Sequence, residues 1–117
     1  MNTATYAPND LLVSDIPVIT RTITLTGGPF ERGTVLGRIT ANDKYTISAA
    51  AAGDGSEVPA LVLAYDADGS GGDIEVAAYA SAGLDASKLV FGAGHDADTV
   101  EAAFRAADSS LVVRKLA

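Results

Sequence analysis

Turn-forming residues punctuate this chain so closely that short elements are expected over most of it. Gly27-Gly28-Pro29, Glu31-Arg32-Gly33, Asn42-Asp43, Gly53-Asp54-Gly55-Ser56, the run from Asp66 to Asp73, and Gly92 with Gly94 each interrupt the sequence. Glycine frees φ and proline fixes it, so each cluster is a place to turn. Between them lie short apolar or alternating segments, which is the pattern of strands.

Val18 to Thr26 alternates Thr22, Thr24 and Thr26 with Ile23 and Leu25, a period of two with one buried face. Gly27-Gly28-Pro29 is expected to end that strand. Thr34 to Thr40 reads as a second strand, with Gly37 marking a bulge, a bend or a close backbone approach. Tyr45 to Ser48 is a short extended piece, and Val58 to Tyr65 is the most apolar run and a central strand entered at Pro59. Asp66 to Asp73 reads as an exposed loop, and Ile74 to Tyr79 as a strand able to pair with the preceding one as a hairpin. Leu89 to Phe91 is extended, and Leu111 to Leu116 closes the chain as a strand.

Only one stretch has helical spacing. Thr99 to Ala107 places Val100, Ala103, Phe104 and Ala107 on one face, with Asp96 or Asp98 as N-cap and Asp98/Glu101 at capping-box spacing. Ala49 to Ala52 favours helix but is too short to hold one. The expected architecture is a small mainly β, barrel-like domain of six or seven short strands with one helix near the end. The first ten residues lack periodicity and read as a flexible arm, with Leu11 to Val13 as its one apolar patch.

Composition narrows the function. Alanine supplies 22 of the 117 residues, so the 48% hydrophobic content implies a thin core, or one completed by another subunit. A net charge of -7 opposes backbone contacts with nucleic acid. Absent cysteine removes disulfides, thiolate metal sites and a cysteine nucleophile. No apolar run approaches the length of a membrane span, and the first residues carry neither the basic nor the long apolar region of a signal peptide.

The candidate chemistries are weak. Asp66-Ala67-Asp68-Gly69-Ser70-Gly71 begins like a calcium loop, but its twelfth position is Ala77 and no helices flank it. His95-Asp96 with the chain's serines lacks a nucleophile elbow, so His95 reads as a surface or cap-adjacent residue. The glycine turns lack the strand–loop–helix setting of a phosphate loop, and Lys44-Tyr45 reads as a strand edge. No enzyme, metal or cofactor is expected, and binding is favoured over catalysis.

Gly33-Thr34-Val35-Leu36-Gly37-Arg38-Ile39-Thr40 followed by Lys44-Tyr45 resembles the signature of the lambda-like bacteriophage head decoration proteins. The likeness runs on through Asp54-Gly55-Ser56, Pro59 to Tyr65, Asp66 and the final helix and strand, covering about 18–116. It loosens where Ala80-Ser81-Ala82 replaces a glycine and an aromatic.

The resemblance implies a β-clip-like core and homotrimers at the local threefold sites of the expanded head, where they stabilise it against DNA pressure. It places the protein on the outer capsid surface, and in the host cytoplasm before assembly. The partners implied are itself and the major capsid protein, with no nucleic acid and no membrane. It further implies that residues 1–15 form a flexible capsid-binding arm, carried here by Tyr6, Pro8, Leu11, Leu12 and Val13, and that 16–117 form the decoration domain. Phe30, Val35, Leu36, Ile39, Val62, Leu63, Val100 and Phe104 are expected in the core or the trimer contact. A β-rich ligand- or carbohydrate-binding module, a tail or fibre accessory protein, and a small hydrolase using His95 are the alternatives.

Overall fold

The computed structural model describes residues 11, 12 and 16–115. Six strands are present among them: β1 (Ile19–Phe30), β2 (Val35–Ile39), β3 (Lys44–Ile47), β4 (Pro59–Leu63), β5 (Ala67–Asp85) and β6 (Ser110–Arg114). A 3-10 turn at Ala86–Lys88 and the helix α1 (Ala97–Ala106) lie between β5 and β6.

The strands are ordered β1-β3-β2-β4-β5, and β5 returns to pair with β1, closing a five-stranded barrel. β6 is added alongside β5 in parallel, from Ser81↔Ser110 to Asp85↔Arg114. A parallel partner needs a crossover, and α1 supplies it. The seam is narrow: β1 and β3 share one residue pair, Leu25↔Tyr45.

Two apolar layers result. Ile23, Leu25, Leu36, Tyr45, Leu61, Leu63 and Ala78 fill the barrel. Leu11, Val35, Val62, Tyr79, Leu84, Val100, Phe104 and Leu111 form a second layer between the barrel wall and α1. Successive strand residues point to opposite faces, so Leu36 faces one layer and Val35 the other, as do Leu61 and Val62. Burial on both faces is why β4 reads as an unbroken apolar run.

Several sequence expectations are corrected. β1 does not stop at Gly27-Gly28-Pro29. It continues to Phe30 through register shifts, with Gly27 and Gly28 at φ 83° and 128°, where glycine is the residue that fits. The Asp66–Asp73 segment is not a free loop, because Ala67 and Gly69 pair with Phe30 and Gly27. β4 and β5 do pair, at Val62↔Tyr79 and Leu63↔Ala78, but the main partner of β5 is β1. Two of the readings offered for Gly37 are observed: the β2–β4 register shifts between Leu36 and Gly37, and a Cβ there would overlap the Ser56 carbonyl.

The helix begins earlier than its spacing suggests. Asp96 is the N-cap, and the box is closed by Thr99, not by Asp98 and Glu101. The Asp96 Oδ1 accepts from the Thr99 N–H at 2.9 Å, and the Asp96 N–H donates to Thr99 Oγ1 at 2.9 Å. Val100 and Phe104 are fully buried, whereas Ala107 is exposed at the C-cap.

Candidate functional site

Three surfaces can carry function: the point where the N-terminal segment meets the domain, the outer edge of β6, and the outer edge of β1. Leu11 is 2% exposed and belongs to the layer under α1. Its carbonyl accepts from the Asp85 N–H at 2.8 Å, and Leu12 bridges Leu84 in antiparallel fashion. A side chain buried in its own subunit has no surface left to offer a shell. Leu11 therefore ties the chain here to the domain, and Leu12 packs partly against the same layer. Tyr6, Pro8 and Val13 lie outside the described residues.

The β6 edge is closed by side chains. The Val113 N–H donates to Glu101 Oε1 at 2.8 Å, and the Leu111 N–H donates to Ser109 Oγ at 3.0 Å. The Leu111 carbonyl accepts from the Arg105 guanidinium, which also holds Glu101 in an i,i+4 ion pair at 2.7 Å. One face of α1 thus occupies backbone groups that another strand would need.

The β1 edge is open. Before Leu25 it has no strand partner on the side away from β5 among the described residues. Residues 17–22 are exposed throughout, with Val18 at 47% and Ile19 at 55%. Where β1 and β3 diverge, a cleft of about 130 Å³ is lined by Arg21, Thr22, Ile23, Thr24, Asp43, Tyr45 and Glu75.

The polar residues singled out in the sequence are engaged in structure. His95 Nε2 lies 2.8 Å from the Glu57 carbonyl, so that nitrogen donates, and Nδ1 lies 3.1 Å from Thr99 Oγ1. The ring staples the 53–58 turn to the start of α1, which is the cap-adjacent placement. The Arg32 side chain reaches the Ala64 carbonyl at 3.2 Å and the Tyr79 hydroxyl at 2.9 Å. Lys44 pairs with Asp73, and Tyr45 is buried in the barrel.

Three Asp-x-Ser turns repeat one device: the carboxylates of Asp54, Asp68 and Asp85 accept from the N–H and hydroxyl of Ser56, Ser70 and Ser87. The serine hydroxyls and N–H groups hold Asp54 and Asp68 below the ordinary carboxylate range. The Thr99 N–H does the same for Asp96. Among the described residues no group of three or more His, Asp or Glu is placed to hold a metal ion.

Of the residues expected in the core or trimer contact, Val35, Leu36, Val62, Leu63, Val100 and Phe104 are wholly buried within one chain. Phe30 packs partly against the barrel core, and Ile39 is half-buried. The structure brings these residues, Ile39 excepted, into two layers, not onto one surface. The sequence reading missed both sheet edges. The apolar pair Val18-Ile19 at the start of a threonine-rich strand was the signal for the open one. The closed edge had none, since Glu101 and Arg105 look like ordinary helix charges.

The chain matches no curated protein by overall sequence similarity. A family model, that of bacteriophage lambda head decoration protein D, matches residues 1–111. That span includes the N-terminal segment, both apolar layers, α1 and the start of β6, so this chain belongs to the lambda head decoration protein D family.

Proposed function

We propose that the protein binds the expanded phage head as a homotrimer at local threefold sites and stabilises the shell against the pressure of packaged DNA. The observation that carries this reading is the family match over residues 1–111. The major capsid protein is the partner, and the outer surface of the virion is the site of action, after a period in the host cytoplasm. The N-terminal segment, with Tyr6, Pro8 and Val13, contacts the shell, and Leu11 and Leu12 fasten it to the domain. A short docked segment binds weakly because ordering it costs entropy. Three segments presented together raise the effective concentration and make the sum strong.

The test is co-sedimentation with expanded undecorated heads, comparing the full chain with one lacking residues 1–10. Truncation before Leu11 spares the second apolar layer, so lost binding reports the contact and not misfolding. Binding by the full chain that disappears on truncation supports the segment's role. Equal binding places the contact in the folded domain, and no binding by either refutes decoration. Light scattering of the free protein should give a mass about three times 11.8 kDa if the trimer persists in solution.

A further inference from the structure

We infer that the Asp68–Gly69 bond is where this protein modifies itself with age, by forming isoaspartate, and that the Ser70 hydroxyl sets the rate. The step needs no enzyme. The Gly69 amide nitrogen attacks Asp68 Cγ, an N–Cγ bond forms, and a carboxyl oxygen leaves as water with the amide and carboxyl protons. Water then reopens the five-membered imide ring. At Cγ it restores aspartate; at the Asp68 main-chain carbonyl carbon it breaks that C–N bond and leaves the backbone running through Cγ. Glycine favours the attack because no side chain hinders its nitrogen.

The chain has two Asp-Gly steps, at Asp54 and Asp68, and a serine follows each. The fold demands both glycines: a Cβ on Gly55 would lie 2.1 Å from Thr40 Oγ1, and one on Gly69 2.7 Å from the Leu25 carbonyl oxygen. A larger residue cannot remove the labile step at either place, so the fold restrains it instead. The Asp68 carboxylate accepts from the Ser70 N–H at 2.9 Å and from its hydroxyl at 2.6 Å. That clasp holds the carboxylate on Ser70 and keeps it ionised, below the ordinary range. An ionised carboxylate is the poorer electrophile, because oxide is a far worse leaving group than water.

The two steps differ in how the attacking side is held. The Gly55 N–H donates to Glu57 Oε1 at 2.8 Å, and the Asp54 carbonyl accepts from the Thr40 N–H at 2.9 Å. Both ends of that peptide bond are fixed, beside a buried Ser56. Asp68 and Ser70 are exposed, and among the described residues no side chain holds the Gly69 N–H. Gly71 and Gly72 beyond them stand in open space, with nothing within 4 Å of an added Cβ. Isoaspartate adds one main-chain carbon between the Ala67↔Phe30 and Gly69↔Gly27 pairings, so it loosens that end of the β1–β5 ribbon.

The test incubates the full chain for weeks in mildly acidic buffer and reads isoaspartate at each aspartate by peptide mapping with electron-transfer fragmentation. Asp68 should convert ahead of Asp54, and Asp85, which has the same clasp but precedes Ala86, should not convert. Ser70→Ala should speed conversion at Asp68 about tenfold, the worth of one hydrogen bond to a charged group, and leave Asp54 at the wild-type rate. Ser70→Thr keeps a hydroxyl and should restore the slow rate. Conversion led by Asp54, or an unchanged rate in Ser70→Ala, overturns the inference. A rise in Ser70→Ala that is equal at Asp54 and Asp68 reports general unfolding and overturns it too.

Discussion

The two free edges of this sheet have opposite fates. At β6, a helix laid against the strand supplies a carboxylate and a guanidinium, and the preceding serine supplies a hydroxyl, at the points where backbone groups would otherwise face water. At β1, no described residue does the same beside the cleft, and Val18 and Ile19 are exposed. A monomeric β protein is expected to guard all its edges. Guarding one edge while no described residue guards the other shows that the means of protection is available in this fold and is applied unevenly.

The largest break in this comparison comes from the anchor of the guarding helix. Phe104→Ala empties the centre of the second layer and should cost about 3–5 kcal/mol in denaturant unfolding. Leu11→Ala acts on the same layer from the N-terminal side, and a loss of about 2–5 kcal/mol is expected. An unchanged melt for Leu11→Ala would mean that the N-terminal segment is not tied to the domain there.

Removing the guard itself is a subtler change. Glu101→Ala leaves the Val113 N–H without its acceptor, at a cost of about 1–3 kcal/mol. It should also make the protein self-associate with concentration, read by light scattering, because β6 then becomes a second open edge. If Glu101→Ala stays at the wild-type mass, side-chain closure of β6 is not what prevents pairing.

Acid should loosen the turns around both edges. Asp54, Asp68 and Asp96 have folded pKa values below the ordinary range. Their contribution is therefore complete above the unfolded value, near pH 4, and is lost as pH falls through the lowered ones. A melting temperature that declines below about pH 4, less steeply in Ser56→Ala with Ser70→Ala, is the expected result. All three carboxylates are solvent-exposed, so the effect is small.

Much of this architecture is legible in the sequence, for identifiable reasons. Period-two alternation marked β1, and Val100 with Phe104 marked the buried face of the one helix; the dense turn residues suggested only short strands, whereas β1 runs for 12 residues and β5 for 19, through the glycine clusters. What was missed depends on partners distant in the chain. Asp66–Asp73 looks like a loop until Gly69 is seen opposite Gly27, and nothing local distinguishes the two. Asp96 is one of the two N-caps the sequence offered, but Thr99 closes its box with a hydroxyl, a variant that the Asp98/Glu101 spacing obscured. Leu11 packs under α1, and an apolar patch in a polar segment looks the same whether it docks on its own domain or on another protein. The thin core suspected from the alanine count is in fact two thin layers sharing one barrel wall, with Ala64, Ala78 and Ala82 buried where strands and helix come close.

The most direct test reads amide exchange by mass spectrometry on the free full chain, one edge against the other. Residues 18–24 should exchange about tenfold faster than residues 110–114, where Glu101 and Ser109 hold the Val113 and Leu111 N–H groups. Equal rates, or slower exchange at 18–24, would contradict the account.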